Sequence, residues 1–362
     1  MNRSRGAIPG LERAATAVEL FERASAGLRR LVPFDSAVWR ATDPETGLIT
    51  APMLVRNLGS GEGCAAYWEN ELLEETVVPY RELARAAVPA AGLRDSTGDL
   101  PARSARYRRL LRGWGMHDEL RAVLRIGDRP WGLVSLFRDA EPFRPDEIAL
   151  VADQSRPLAT LLRAFARPPA SVSHRTDVPA PGLVLFDGAG EAMSINDEAR
   201  QHLASLPAGP SFPSPLGVRL PIWVIGTALQ ARAVADGRDH GDARVRIRTT
   251  DGRWLVCHAS CLTGPGGRPG PVALVIEPPA PGDLAVLIAE SYGLTPRELE
   301  ITQLVARGMT TAEIAATLFI TPHTVRDRIK TLFAKVGVSS RGELVARLFM
   351  EHYWARGHVG PS

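Results

Sequence analysis

Hydrophobic positions change their period several times along the chain, and each change marks a different kind of element. Near the start Leu11, Ala15, Val18, Phe21, Leu28 and Leu31 recur at helical spacing, which predicts an amphipathic helix. Residues 119–137 (ELRAVLRIGDRPWGLVSLF) predict two strands around a turn at Gly127 and Asp128, and 146–165 predict a closing helix. Residues 182–203 (GLVLFDGAGEAMSINDEARQHL) predict a short strand, a tight turn at Asp187 to Gly190, a second strand and a helix opened by Asn196 or Asp197. Residues 243–262 and 271–278 then predict antiparallel strands, with Asp251 and Gly252 as the hairpin signal. From Leu294 onward the period is helical again.

Two proline-rich stretches interrupt these patterns, ARPPASVSHRTDVPAP at 166–181 and EPPAPG at 277–282. Prolines and small polar residues without periodicity are the composition of linkers. The expected organisation is multidomain: an α+β domain over 1–168, a linker at 169–180, a second α+β domain over 181–278, a linker at 279–293, and an all-α domain of four helices over 294–356. Both α+β domains are expected to be built on antiparallel sheets. No fixed-period repeat is present, which excludes a solenoid.

The last segment combines several local signals that agree. Thr295, Pro296 and Glu298 form an N-cap, a first-turn proline and a capping-box partner; Gly308 suits a helix end; Thr310 with Glu313 repeats the box, and Thr321 with Pro322 opens a third helix. Three short helices in about forty residues make a helix-turn-helix. In the third, Val325, Ile329, Leu332 and Val336 share one side and are expected to pack on Leu304, Val305, Ile314, Ala315 and Leu318. His323, Asp327, Lys330 and Ala334 lie opposite, with Arg326 and Thr331 on the flanks. Arg326, Arg328, Lys330 and Lys335 against the single Asp327 make a net positive strip, the chemistry that enters a major groove and draws on phosphate for affinity.

These residues resemble the LuxR-type helix-turn-helix family through LTPRE (294–298), TTAEIA (310–315), TVR (324–326) and KVGVSSRGE (335–343). The resemblance implies a DNA-binding transcription regulator. It places Arg326, Asp327 and Lys330 toward bases or nearby phosphates, and Thr310, Thr311, Thr321 and Thr324 at helix N-termini beside the backbone; His323, Arg328, Thr331 and Lys335 complete the candidate DNA-binding set. It also implies dimerisation through a last helix at 341–353, with Leu344 and Leu348 as candidates. Arg328 stands where the family usually has His, and Asp327 where an acid is seldom found, so the sequence preference is expected to be unusual. A sigma-factor recognition domain on a protein-interaction scaffold without a small-molecule ligand is the alternative; the GVSSR segment favours the LuxR type. The segments 10–166 and 181–278 resemble GAF and PAS sensor domains respectively, which implies an unknown small-molecule or protein effector.

Composition narrows the chemistry. At 362 residues, 45% hydrophobic and 23% charged, with a net charge of +3, the chain is expected to be globular and mildly basic. Lys330 and Lys335 are its only lysines, so the first 329 residues hold neither a P-loop lysine nor a Schiff-base lysine, and a phosphoacceptor receiver domain is opposed on the same ground. No catalytic motif is visible and no enzyme is expected. No apolar run suits export or membrane spanning, so the expected location is cytoplasmic. Cys64, Cys257 and Cys261 are too scattered for a disulfide framework. Cys257, His258 and Cys261 invite a metal reading, but strand alternation puts His258 on the other face from both thiols, and neither a metal nor a cofactor is expected. Trp39, Trp68, Trp114 and Trp131, with Tyr67 and His117 nearby, are candidates for a ligand pocket, ordinary core being the alternative. The basic run Arg103, Arg106, Arg108, Arg109 and Arg112 reads as a solvated helix face. Expected partners are double-stranded DNA, RNA polymerase, the effector, and a second copy of the chain on DNA.

Overall fold

The computed structural model describes residues 8–58, 63–74, 77–167 and 180–350. They fall into two compact units, one formed by Met1–Leu162 with Ala180–Glu277, the other by Arg163–Pro179 with Pro278–Ser362. No helix among the described residues is long and apolar enough to cross a membrane.

The first unit opens with α1 (Ala17–Leu31), capped by Thr16 Oγ1, which accepts from the Glu19 amide. Its buried stripe is Ala17, Leu20, Phe21, Ala24 and Leu28, while Val18 is exposed. The expected apolar face is therefore rotated, because Ala17, Leu20, Ala24 and Leu28 follow the 3.6 period more closely than Val18 and Leu31 do. Next come β1 (Ser36–Thr42), β2 (Ile49–Arg56), α2 (Gly63–Leu73), α3 (Tyr80–Leu83), β3 (Ala90–Gly92), α4 (Leu93–Thr97), β4 (Asp118–Ile126) and β5 (Arg129–Arg138). Gly127, with φ of 64°, makes the expected β4–β5 turn. The strands form an antiparallel sheet in the order β2-β1-β5-β4-β3. Helices α5 (Pro145–Asp153) and α6 (Ser155–Phe165) replace the single closing helix expected at 146–165. Pro157 has no amide to donate back to Asp153, and Ser155 Oγ instead donates to the Val123 carbonyl at 2.7 Å, so the chain breaks at Gln154.

A second antiparallel sheet, ordered β10-β11-β12-β6-β7, uses β6 (Gly182–Phe186), β7 (Ala192–Ile195), β10 (Arg244–Arg248), β11 (Trp254–Thr263) and β12 (Pro269–Glu277). The expected turns hold: Gly190 and Gly252 take φ of 85° and 87°. Helix α7 (Asp197–Ser205) starts at Asn196, whose Oδ1 accepts from the Ala199 amide, and a short ribbon of β8 (Ser211–Pro213) and β9 (Arg219–Pro221) leads into α8 (Ile222–Ala235).

The two sheets share a core. Helix α8 packs on β11 and β12 and also on α2 and β2, so Ile222 and Trp223 join Ile49, Tyr67 and Trp68 in one buried cluster. At the same junction Arg246 is clamped to Asp43, Nε to Oδ2 at 2.7 Å and Nη2 to Oδ1 at 2.5 Å, with both residues at most 3% exposed. Thr50 Oγ1 donates to the Arg246 carbonyl at 2.9 Å beside it. Such a pair matters less for net stability than for what happens when half of it is lost.

The second unit is helical: α9 (Pro281–Ser291), α10 (Pro296–Ala306), α11 (Thr311–Leu318), α12 (Pro322–Val336), α13 (Arg341–Val345) and a π-helical stretch Ala346–Met350. Residues 279–293, expected as a linker, thus contain a helix. Pro281 starts it, Asp283 Oδ2 accepts from the Ala280 amide at 2.6 Å, and Leu284, Leu287 and Ile288 are buried, a short apolar pattern hidden in sequence by the flanking prolines. The linker expected at 169–180 lies almost wholly outside the described residues.

Replacing Asp43 with Asn should destabilise the first unit by about 3 kcal/mol, because the buried Arg246 loses its main carboxylate. The double variant Asp43→Leu/Arg246→Met should lose less, as read from urea midpoints; equal losses would remove the ion pair as the cause.

Candidate nucleic-acid interface

Helix α10 starts where Thr295 Oγ1 accepts from the Glu298 amide at 3.2 Å and Glu298 Oε2 accepts from the Thr295 amide at 2.7 Å. It ends before Gly308, whose φ is 79°. Helix α11 repeats the box, Thr310 Oγ1 with the Glu313 amide at 3.3 Å and Glu313 Oε2 with the Thr310 amide at 2.7 Å. It stops at Phe319, a residue 94% exposed that holds the left-handed φ of 54°. Thr321 Oγ1 accepts from the Thr324 amide at 3.1 Å and opens α12, and Gly337 closes it.

The faces of α12 divide sharply. Val325, Ile329, Leu332 and Val336 are at most 7% exposed and pack toward α10 and α11, whose Ile301, Leu304, Val305, Ile314, Ala315 and Leu318 are equally buried. Burial of each such aliphatic side chain stabilises by roughly 2 kcal/mol. His323, Arg326, Asp327, Arg328, Lys330 and Thr331 are all exposed. Three of these side chains are cationic and one is a carboxylate. His323 Nδ1 lies 3.0 Å from Asp327 Oδ2 one turn away, so the acid already has a local partner. Arg326 Nε donates to the Pro322 carbonyl at 3.3 Å, and Thr331 Oγ1 to the Asp327 carbonyl at 3.0 Å. These local bonds leave the other guanidinium nitrogens of Arg326 facing solvent.

Other predicted residues have different surroundings. Thr310, Thr321 and Thr324 lie at helix starts, beside amides pointing outward. Thr311 is half-buried, and its Oγ1 accepts from Arg341 Nη2 at 2.6 Å. Lys335, grouped by sequence with the cationic strip, is turned inward: its Nζ donates to Glu298 Oε2 at 2.7 Å and to the Gly293 carbonyl at 3.0 Å. It ties the C-terminal end of α12 to the start of α10, instead of adding to the strip. Leu344 and Leu348, expected at a dimer face, are 0% and 4% exposed inside their own unit, where α13 packs on α10 and the π-helical stretch on α9. Their aliphatic surface is already spent there, so a partner would have to use other side chains.

The tryptophans do not line one pocket. Trp39 faces Phe21 of α1, ring centroids 5.9 Å apart, whereas Trp68 on α2 covers the opposite side of the sheet and stacks on Tyr80 at 6.3 Å. Trp131 is buried and Trp114 half-buried. In β11, Cys257 is buried and His258 exposed, as alternation predicts, and burial pushes the Cys257 thiol up to about 12. Of the basic run expected to form a solvated face, Arg106 departs: it is 1% exposed and donates from Nε to Glu119 Oε2 at 2.8 Å, whereas Arg103, Arg108, Arg109 and Arg112 are exposed. Glu119 and Arg121, alternating on one face of β4, were the available signal that the basic run nearby had an internal partner.

Burial pushes the Glu298 carboxyl up, but Lys335 and the Thr295 hydrogen bonds outweigh it and hold the group below its ordinary range. A depressed folded value means stability that is present at neutral pH and is lost as pH falls through about 4 and below. Lys335→Met should therefore weaken α12 by about 2 kcal/mol at pH 7, a difference that shrinks toward pH 3. Hydrogen exchange of the α12 amides reads it; a pH-independent difference would refute the assignment.

Residues 292–348 match the family model described as bacterial regulatory proteins, luxR family. The spore germination protein GerE of Bacillus subtilis is 44% identical over 55 residues, which is 15% of this chain and 74% of GerE. UhpA, a transcriptional regulatory protein of Escherichia coli, is 39% identical over 69 residues, 18% of this chain and 35% of UhpA. An HTH-type transcriptional regulator of Mycobacterium bovis is 40% identical over 58 residues, and the chain spans only 7% of its length. Among solved structures, Escherichia coli SdiA aligns over 93% of this chain and 93% of its own at 14% identity, with a TM-score of 0.31, too low to equate the folds. At 44% identity across 74% of GerE, and with residues 292–348 matching the family model, the chain belongs to the luxR family of bacterial regulatory proteins.

Proposed function

We propose that the chain is a sequence-specific DNA-binding transcription regulator controlled by a ligand or partner protein at its N-terminal unit. The observation that carries this reading is the exposed cationic side of α12, with Arg326, Arg328 and Lys330 set on a helix whose other side is fully committed to its own domain. A rod of that width fits a major groove, and the amides at the starts of α11 and α12 suit phosphates on either side. Arg326, Arg328 and Lys330 supply the charge; His323, Asp327 and Thr331 are the hydrogen-bonding side chains beside them. Asp327 can accept from cytosine N4, and its contact with His323 lessens its repulsion of phosphate. Lys335 takes the role of a positioning residue.

Segments 10–166 and 181–278 are read as GAF-like and PAS-like, with the effector acting through them on DNA binding in the cytoplasm. A homodimer on pseudo-palindromic half-sites is the arrangement two-fold symmetry favours, with RNA polymerase as the downstream partner.

The double variant Arg326→Ala/Lys330→Ala should weaken binding to a selected operator by tenfold or more, on the order of the loss expected for two phosphate or base contacts. The slope of log K against log salt should fall by roughly 0.9 per cation removed. Gel shifts across 50 to 300 mM salt measure both, and an unchanged slope would remove α12 from the interface.

A further inference from the structure

The face of the first sheet that meets α2 and α3 is charged where the interior of a sandwich is ordinarily apolar. Glu119 and Arg121 alternate on β4 and face the same way; Arg40 from β1 and Arg106 reach the same region, and all four are at most 3% exposed. The carboxylates are saturated. Glu119 Oε1 accepts from the Tyr67 hydroxyl at 2.7 Å and Arg121 Nε at 3.1 Å, and its Oε2 from Arg106 Nε at 2.8 Å. Glu71 Oε2 accepts from Arg121 Nη1 at 2.7 Å and its Oε1 from the Tyr80 amide at 2.9 Å. Around them the rings crowd the guanidinium groups: Arg40, Arg106 and Arg121 lie 5.1, 5.7 and 5.2 Å from the Tyr67 centroid, and Arg40 lies 5.4 Å from that of Trp68.

What is left over among the described residues is a surplus of donors. Arg106 Nη1 is buried 3.7 Å from Glu71 Oε2, beyond hydrogen-bond reach, and the Trp68 indole N–H is buried with no acceptor at all. Both residues are at least nine-tenths buried. Desolvating such ions costs several kcal/mol each, and an apolar face would close the sheet more cheaply. Burial acts to raise the Glu119 carboxyl, but Arg106 and Arg121 bring it down to about 2; burial dominates at Tyr67 and holds its phenol well up. The anions of the cluster are thus fixed and occupied, and a ligand that completes it must bring acceptors.

We propose that this cluster is the effector site and that it takes a small organic acid with a planar ring: carboxylate oxygens for the Arg106 and Trp68 donors, the ring for the aromatic group in which Trp68 meets Tyr67 edge-on and stacks on Tyr80. The inference rests on the reading of the N-terminal unit as the controlling region and adds the class of molecule it recognises.

The test uses the full chain, with benzoate as the probe and neutral benzamide as its isostere. Benzoate at a hundredfold excess over its Kd should raise Tm by about 5 °C, and benzamide by less than a fifth of that. Arg106→Met should abolish the benzoate shift, and Trp68→Phe, which keeps the ring and removes the donor, should weaken benzoate about tenfold. Trp68→Phe carries the test if Arg106→Met does not fold. No benzoate shift in the native chain, an equal shift with benzamide, or a shift that survives Trp68→Phe at full affinity would each overturn the proposal. Gel shifts on the same preparations separate the two readings: a chain that binds DNA but not benzoate loses only this site, and one that binds benzoate but not DNA loses only the regulator.

Discussion

The seat beneath α12 is the constraint on which the functional reading depends. Four aliphatic side chains, each worth roughly 2 kcal/mol on burial, outweigh any single cap or surface pair in the domain, which contribute about 1 kcal/mol or less. Orientation is therefore decided by the buried side, and the exposed side is free to carry whatever a DNA sequence demands. That freedom lets Asp327 and Arg328 stand on α12 without disturbing the fold: both are exposed, and neither touches the core. The internal Lys335–Glu298 pair adds a fixed point at the far end of the helix, so the strip is held at both ends against its own domain.

The same residue type serves opposite purposes in the two units. Arginine on α12 is exposed and available, whereas Arg40, Arg106, Arg121 and Arg246 are buried and engaged. Composition and net charge register both alike, which is why a mildly basic balance says little about where the positive charge acts. A planar guanidinium that can stack on rings and bridge carboxylates at once is suited to such burial, and a lysine ammonium is not.

What could be read in the sequence was local. The caps at Thr295, Thr310 and Thr321, the turns at Gly127, Gly190 and Gly252, and the alternation around Cys257 each depend on residues within a few positions of one another, and the structure shows every one. What could not be read depended on partners far away. Nothing near Asp43 announces Arg246, nothing near Arg106 except a distant strand announces Glu119, and Leu344 looks the same whether it faces its own α10 or a second chain. The helix at Pro281–Ser291 was obscured for another reason: its prolines signal a break and a helix start equally well, and only the burial of Leu287 and Ile288 decides between them.

The core shared by the two sheets also bears on the order in which the chain acquires its shape. Ile49 and Trp68 emerge during synthesis long before Ile222 and Trp223, and Asp43 waits some two hundred residues for Arg246. Until then the early half presents an unfinished apolar surface and an unpaired Asp43 carboxylate, which places the most sequence-distant contacts at the end of folding.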